Sequence, residues 1–384
     1  FGALGADGQT KTKDLGAAKN ALAELEALVR KKLAEGYREE GDTEASPKRP
    51  RVAWDARTRA LVHPRRRSNI RVANVDVSKA WKTITSAFDA ETRAKVKTGR
   101  RHASAEDCAF MDDAVRGFAS KTPPQTSTPI VEAVRAHLLA VHNHHVNTPP
   151  ALRKAHDALV HFWCEAYGVP FAVETMTETF RTALCDLGSL YIVRRPENFG
   201  RTGNGSDVTP WHVLRARLAV ADEETYAKAR AVAEPVHDQG ADVLFRCALS
   251  FVFADEEAWA RETLAKSSYF IQGDRGSPTM YSCALPLVSC FRDEKTIRKF
   301  IVAGGISLTF VHDIIDALGP DAFGLLRDHY ERGTWRKAAA QREFFAAVTL
   351  IESNEAAAWV GRHLHDKVVG ALAEAYFARC PDLR

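Results

Sequence analysis

The sequence has no Cys-x-x-Cys pair, no long apolar run and no signature of a catalytic family. Its seven cysteines (Cys108, Cys164, Cys185, Cys247, Cys283, Cys290 and Cys380) are odd in number and scattered. That argues against a disulfide framework and for a reducing, cytoplasmic setting. The longest apolar stretch, Phe300 to Val311, is too short to span a bilayer and contains Gly304-Gly305 and Ser307, so no membrane partner is expected. A basic-then-apolar leader is also missing, and the chain opens at Phe1 without a methionine, which reads as a piece of a longer protein. Gly-x-Ser-x-Gly, His-Glu-x-x-His, Walker and Rossmann patterns are all lacking. The expectation is a protein with no catalytic residues and no cofactor.

Acidic residues are scarce in one segment. Between Lys48 and Arg101 there are sixteen Lys or Arg against four acids, although the whole chain carries only +4. A basic segment beside a mildly acidic body is the arrangement of a polyanion-binding arm. Pro47-Lys48-Arg49-Pro50-Arg51 and His63-Pro64-Arg65-Arg66-Arg67 bound a piece holding Trp54 and Leu61, and Ile70, Val72, Val75 and Val77 suit an extended backbone. Such a segment can cross a neighbouring surface as an ordered strap. The Ala- and Arg-rich composition favours a bacterial source.

The first forty residues read as a small module. Asp7-Gly8 is a tight-hairpin signal, because a type I′ turn needs positive φ at both central positions. Gln9 to Lys13 alternates, with Lys11 and Lys13 on one face. Ala18, Leu22, Leu25, Val29 and Leu33 then form one apolar helical stripe. Arg30, Lys31 and Lys32 close that helix, where positive charge suits the dipole, and Gly36 follows as a C′ residue. The run from Gly2 through Asp7-Gly8-Gln9-Thr10-Lys11-Thr12-Lys13-Asp14, the helix and Glu35-Gly36-Tyr37 resembles the C-terminal half of a WGR domain. That family occurs in poly(ADP-ribose) polymerases and in bacterial proteins similar to molybdate-metabolism regulators, and its polymerase members bind DNA ends. The namesake Trp-Gly-Arg falls on Phe1-Gly2-Ala3, so its arginine is absent. The resemblance implies nucleic-acid association, expected to be sequence-independent DNA binding through phosphate contacts from Lys11, Lys13, Arg30, Lys31, Arg65, Arg66 and Arg67.

The remainder reads as helical. Trp81, Ile84 and Phe88 lie at helical spacing, as do Phe110, Ala114, Val115 and Phe118. Pro-Pro breaks at 123–124 and 149–150 separate further helices, and Phe171 to Leu190 is expected to be another. Thr209-Pro210 marks a helix start. From there Leu249 to Trp259 resembles Leu287 to Ile297, with a looser copy at Val348 to Trp359: an apolar helix end, an Asp/Asn-Glu cap and an apolar anchor. This spacing is that of HEAT-type helical repeats. The expected organisation is a partial WGR-type hairpin-plus-helix module over 1–40, a basic linker or strap over 41–78, a helical region over 79–208 and a HEAT-like α-solenoid over 209–384. Phe253, Trp259, Phe291, Ile297 and Trp359 should be buried between its layers. As alternatives to nucleic-acid association, the solenoid surface can bind a protein partner, the strap being structural, or histidine-rich helices can hold a metal.

Six of the fourteen histidines (His137, His142, His144, His145, His156 and His161) fall close together, with Cys164 one turn after His161. They follow no recognised ligand spacing, so no zinc is expected. Asp313 and Asp316 share a helix face beside Gly319-Pro320-Asp321, and the expectation for them is capping and solvation, not acid/base chemistry.

Overall fold

Some of the described helices start where a short polar side chain takes over an orphan N–H group of the first turn. Asp76 accepts from the Lys79 N–H at 2.9 Å and opens Val77–Ala87. Ser104 accepts from the Asp107 N–H at 3.0 Å and opens Ala105–Ala119, whose first turn also carries Glu106 and Asp107. The computed structural model describes residues 50–66, 72, 74–88, 96–97, 103–140, 150–186, 190–194, 211–238, 243–266, 285–304, 306–333 and 337–383. The module expected over 1–40 and the start signal Thr209-Pro210 lie outside them.

The described residues are mainly α-helical. In the first half, Val77–Ala87 lies along Pro150–Ala166, and Pro129–Ala140 packs on Val169–Arg181. Trp81, Ile84, Phe88, Phe118, Phe162 and Trp163 fill the space between them, as their helical spacing requires. A buried ion pair stands in that core: Glu132 and Arg135 are joined, Glu132 is wholly buried, and it also accepts from the Trp163 indole N–H at 2.8 Å.

The helix expected over Phe171 to Leu190 stops at Arg181. Thr182–Asp186 instead pairs antiparallel with Leu190–Arg194, from Thr182 opposite Arg194 to Asp186 opposite Leu190. Leu190-Tyr-Ile-Val-Arg194 is rich in β-branched and aromatic residues, which favour a pleated backbone over a helical one.

In the second half, described helices follow one another in the chain, some across short connections. Val243–Val252 leads into Glu257–Lys266, and Ala338–Val348 leads through the two-residue strand Ile351–Glu352 into Asn354–Gly361. Between them Leu285–Cys290 precedes Glu294–Gly304, and here the first element is a 3₁₀ helix. Pro286 lies in its first turn, where a missing N–H costs nothing. The five anchors Phe253, Trp259, Phe291, Ile297 and Trp359 are each at most 7% exposed. The expected cap holds in the second copy and not in the last. Asp293 accepts from the Thr296 N–H at 2.8 Å, but in the last copy the cap is Ser353, which accepts from the Ala356 N–H at 3.1 Å.

Candidate nucleic-acid interface and the basic strap

Residues 50–66 are held along the second half by a run of contacts in reversed chain order. Arg51–Val52 pairs antiparallel with Ile351–Glu352, and the Ala53 N–H donates to Leu350 O at 2.7 Å. The Arg51 guanidinium lies 2.5 Å from Glu352 Oε2. Asp55 then caps a single turn, Ala56–Arg59, in a reciprocal box: Thr58 N–H donates to Asp55 Oδ1 at 2.6 Å and Asp55 N–H to Thr58 Oγ1 at 3.1 Å. That turn presents Arg59 to Asp316 at 2.6 Å, with its guanidinium 4.6 Å above the Trp54 ring.

His63 is the next anchor. Its backbone N–H donates to Asp313 Oδ1 at 2.9 Å, and its Nδ1 sits 2.8 Å from Oδ2 of the same carboxylate. The imidazole packs against Phe251 and Phe310, at 5.3 and 5.2 Å between ring centres. Arg65 donates to Ser289 O at 2.6 Å and Phe291 O at 3.1 Å. The Arg66 N–H donates to Asp255 Oδ2 at 3.0 Å, and its guanidinium pairs with Glu223 and covers the Tyr226 ring at 4.1 Å. Further on, the Val75 N–H reaches Glu165 at 3.4 Å.

The basic composition of the strap has a local cause. It crosses the C-terminal ends of short helices, where the last carbonyls lack intrahelical partners and the dipole is negative. Phe251 O and Ser289 O are such carbonyls. From the body side Arg215, 1% exposed, donates to both, at 3.3 Å each, to Ser289 Oγ at 2.6 Å, and to Pro64 O and His63 O of the strap at 2.8 and 3.3 Å. Burial pushes the pKa of Arg215 and of Arg65 below the ordinary guanidinium value, and neighbouring Asp313 and Asp255 oppose that shift. A guanidinium still keeps its proton, so this node is cationic and compensated by carbonyls and carboxylates. Arg379 repeats the device at the next turn, donating to Thr349 O and lying 3.2 Å from Glu352 Oε1.

The residues expected to touch phosphate divide in two. Lys11, Lys13, Arg30, Lys31 and Arg67 lie outside the described residues. Arg65 and Arg66 are turned onto the helical body, each occupied by carbonyl or carboxylate acceptors of the same chain. Asp313 and Asp316 need correction: neither caps a helix into solvent. Asp313 is 5% exposed and grips His63, while Asp316 receives Arg59. Sequence reasoning also missed His63, Arg215, Asp255 and Glu352. Arg215 alone left a signal, as one of two cations, with Arg217, in the otherwise apolar run Val213 to Val220.

Of the clustered histidines, His142, His144 and His145 lie outside the described residues. His161 Nδ1 is 3.2 Å from Arg217 Nη2, and Arg217 pairs with Glu165 at 2.7 Å. Burial, then the Arg217 charge, lowers the His161 imidazole to about 4, and burial raises the Cys164 thiol to about 12. Among the described residues no group of three or more His, Cys, Asp or Glu side chains is placed to hold a metal. Nor is any helix among them long and apolar enough to cross a membrane.

Residues 1–44 match the WGR domain. The match coincides with the segment whose sequence carries the family resemblance, and it is followed by the mostly helical region described above. No curated protein and no solved structure matches the chain. The likeness to molybdate-metabolism regulators therefore finds no support there.

Proposed function

We propose that this protein associates with nucleic acid through its WGR domain, and that the helical region is a HEAT-like scaffold to which the strap fixes that domain. The observation that carries the proposal is the WGR match over residues 1–44. Within it Lys11, Lys13, Arg30 and Lys31 are the residues assigned to phosphate contacts, which act by counterion release and do not read sequence. Arg65 and Arg66 take a different role: their intramolecular contacts support a strap that sets the position of the WGR domain against the scaffold.

Fluorescence anisotropy with duplexes of unrelated sequence tests this. With about four phosphates engaged, log K should fall with log salt at a slope of about −4, alike for all duplexes. Replacing Lys11, Lys13, Arg30 and Lys31 by Ala should flatten the slope. Replacing Arg65 and Arg66 should leave it unchanged while lowering stability. No DNA binding at low salt would sink the proposal.

A second reading is favoured by the inward-facing arginines themselves. With Arg65 and Arg66 occupied within the chain, the strap is structural and the scaffold surface binds a protein partner. That reading takes the lead if DNA binding is absent while the Arg65 and Arg66 variants still lose stability.

A further inference from the structure

The WGR match ends at residue 44, and the first paired residue of the strap is Arg51. The chain between them reaches at most about 25 Å, so the domain is tethered to the Arg51–Glu352 end of the strap. A duplex carries about fifteen phosphates in that length. Nucleic acid held by the domain therefore passes within reach of this end of the body.

The strap turns its later residues, His63 to Arg66, inward, but its earlier arginines stay in solvent. The Arg51 side chain is 68% exposed, whereas Glu352, the carboxylate it shares with Arg379, is 7% exposed. Arg59 and Arg292 share Asp316 in the same way, at 2.6 and 4.0 Å, with both guanidiniums more exposed than the carboxylate. Each carboxylate balances only one of its two cations. Arg57 is exposed on the same turn as Arg59. Over residues 50–66 the sole carboxylate is Asp55, tied into its cap by Thr58, and the turn beside Arg51–Val52 adds the exposed Asp321. Arg51 and Arg59 are at most about 20 Å apart along the chain, four extended residues and one helical turn, so these side chains belong to one surface.

We infer that this outer face of the strap, formed by Arg51, Arg57, Arg59, Arg292 and Arg379, is a second phosphate-contact surface, which takes the duplex backbone where it leaves the WGR domain. The inference rests on the DNA binding proposed for that domain. A guanidinium has five N–H donors, and one carboxylate between two of them leaves donors free for phosphate oxygens. Such contacts position a duplex and read no sequence.

The test uses the full chain and a duplex of about 24 base pairs, long enough to run past the tether at about 3.4 Å per step. The four phosphates assigned to the WGR domain give a slope of about −4, and about two more from this face steepen it to about −5. Arg57→Gln with Arg292→Gln removes two exposed charges and keeps the Arg51–Glu352 and Arg59–Asp316 pairs. It should return the slope to about −4 and lower the affinity at least about tenfold near 0.1 M salt. Lys79→Gln with Lys82→Gln, the same charge taken from the exposed side of Val77–Ala87, should change neither. Phenylglyoxal labelling read by mass spectrometry needs no variant: the duplex should protect Arg57 and Arg292 and leave the exposed Arg153 reactive. DNA binding with an unaltered slope in the arginine variant, or without that protection, refutes this inference and leaves the WGR reading standing. Absence of DNA binding by the unaltered protein refutes both. Polyglutamate that protects the same arginines as well as the duplex does would overturn the inference by assigning the face to an acidic protein.

Discussion

His63 gives its backbone N–H and its ring to the two oxygens of one carboxylate, that of Asp313, 250 residues further along the chain. The carboxylate is 5% exposed and also lies near Arg215, the buried cation that holds the carbonyls of His63 and Pro64. Strap and body are thus joined by hydrogen bonds to a buried carboxylate and a buried guanidinium in a dry setting. The neighbouring Arg59–Asp316 pair is different, since the Arg59 side chain is 53% exposed. Asp313→Ala should destabilise the protein by roughly 2–4 kcal/mol, because it leaves buried donors without an acceptor. Asp316→Ala should cost at most about 1 kcal/mol, as for exposed pairs. Urea unfolding at pH 7 measures both, and equal effects would refute His63–Asp313 as the principal latch.

The Glu132–Arg135 pair makes a comparable prediction for the first half. The Arg135 guanidinium is boxed by Glu132, Ser127 Oγ at 3.5 Å and Asp113 O at 3.4 Å, with Gly117 beneath it. A Cβ added at Gly117 would collide with the Arg135 guanidinium. The ordinarily helix-favouring change Gly117→Ala should therefore destabilise, by about 1–3 kcal/mol, as overpacking does. Thermal unfolding decides the sign, and a raised melting temperature would show that Arg135 moves freely.

These two sites mark what the sequence made legible. Helical spacing exposed the anchors Trp81, Ile84, Trp259 and Trp359, because a helix buries residues that recur every three or four positions. It also marked the strap as a distinct basic piece. The purpose of that charge was not legible, since arginine suits a phosphate and a helix-end carbonyl equally well. Choosing between them needs partners such as Asp255, Ser289 and Asp313, each more than 180 residues away along the chain. The Thr182–Asp186 hairpin was hidden for a related reason. It continues directly from Arg181 without a breaker, and pairing with Leu190–Arg194 overrides the helical pattern.

Acid sensitivity follows from the neutral histidines. His137 and His161 are both lowered to about 4, burial being the main cause in each, and burial also lowers His312, His329 and His363. In the unfolded chain a histidine takes up its proton near pH 6.5. Between about 6.5 and 4 the unfolded state therefore binds more protons than the folded one. Stability is fully present above pH 6.5 and is lost as the pH falls towards 4, by at most roughly 3 kcal/mol for a fully buried ring and less for one partly open to water. Denaturant midpoints should fall steadily from pH 7 to pH 5. In the His137→Gln, His161→Gln double variant that fall should be shallower. An unaltered slope would assign the acid response to other groups.

The strap should behave as part of the fold of the second half, and truncation tests this directly. A chain beginning at residue 50 keeps the Arg51–Glu352 pairing, the His63 latch and the Arg65 and Arg66 contacts, so it should unfold cooperatively and near the melting temperature of the longer chain. A chain beginning at residue 77 loses all of these. It also strips Arg215 of two of its five acceptors and leaves the buried carboxylate of Asp313 without His63, and the exposed Asp255 without the Arg66 N–H. Uncompensated buried charge of this kind costs about 3–5 kcal/mol where one partner is removed, which for a chain of this size lowers the melting temperature by at least roughly 5 °C. Differential scanning calorimetry of the two truncations supplies the comparison. Adding back a synthetic peptide of residues 50–66 should recover part of the loss, because the sites it occupies belong to the folded body. Equal melting temperatures without the peptide would mean that the strap rests on the body without supporting it, and its arginines would then be available to a polyanion after all.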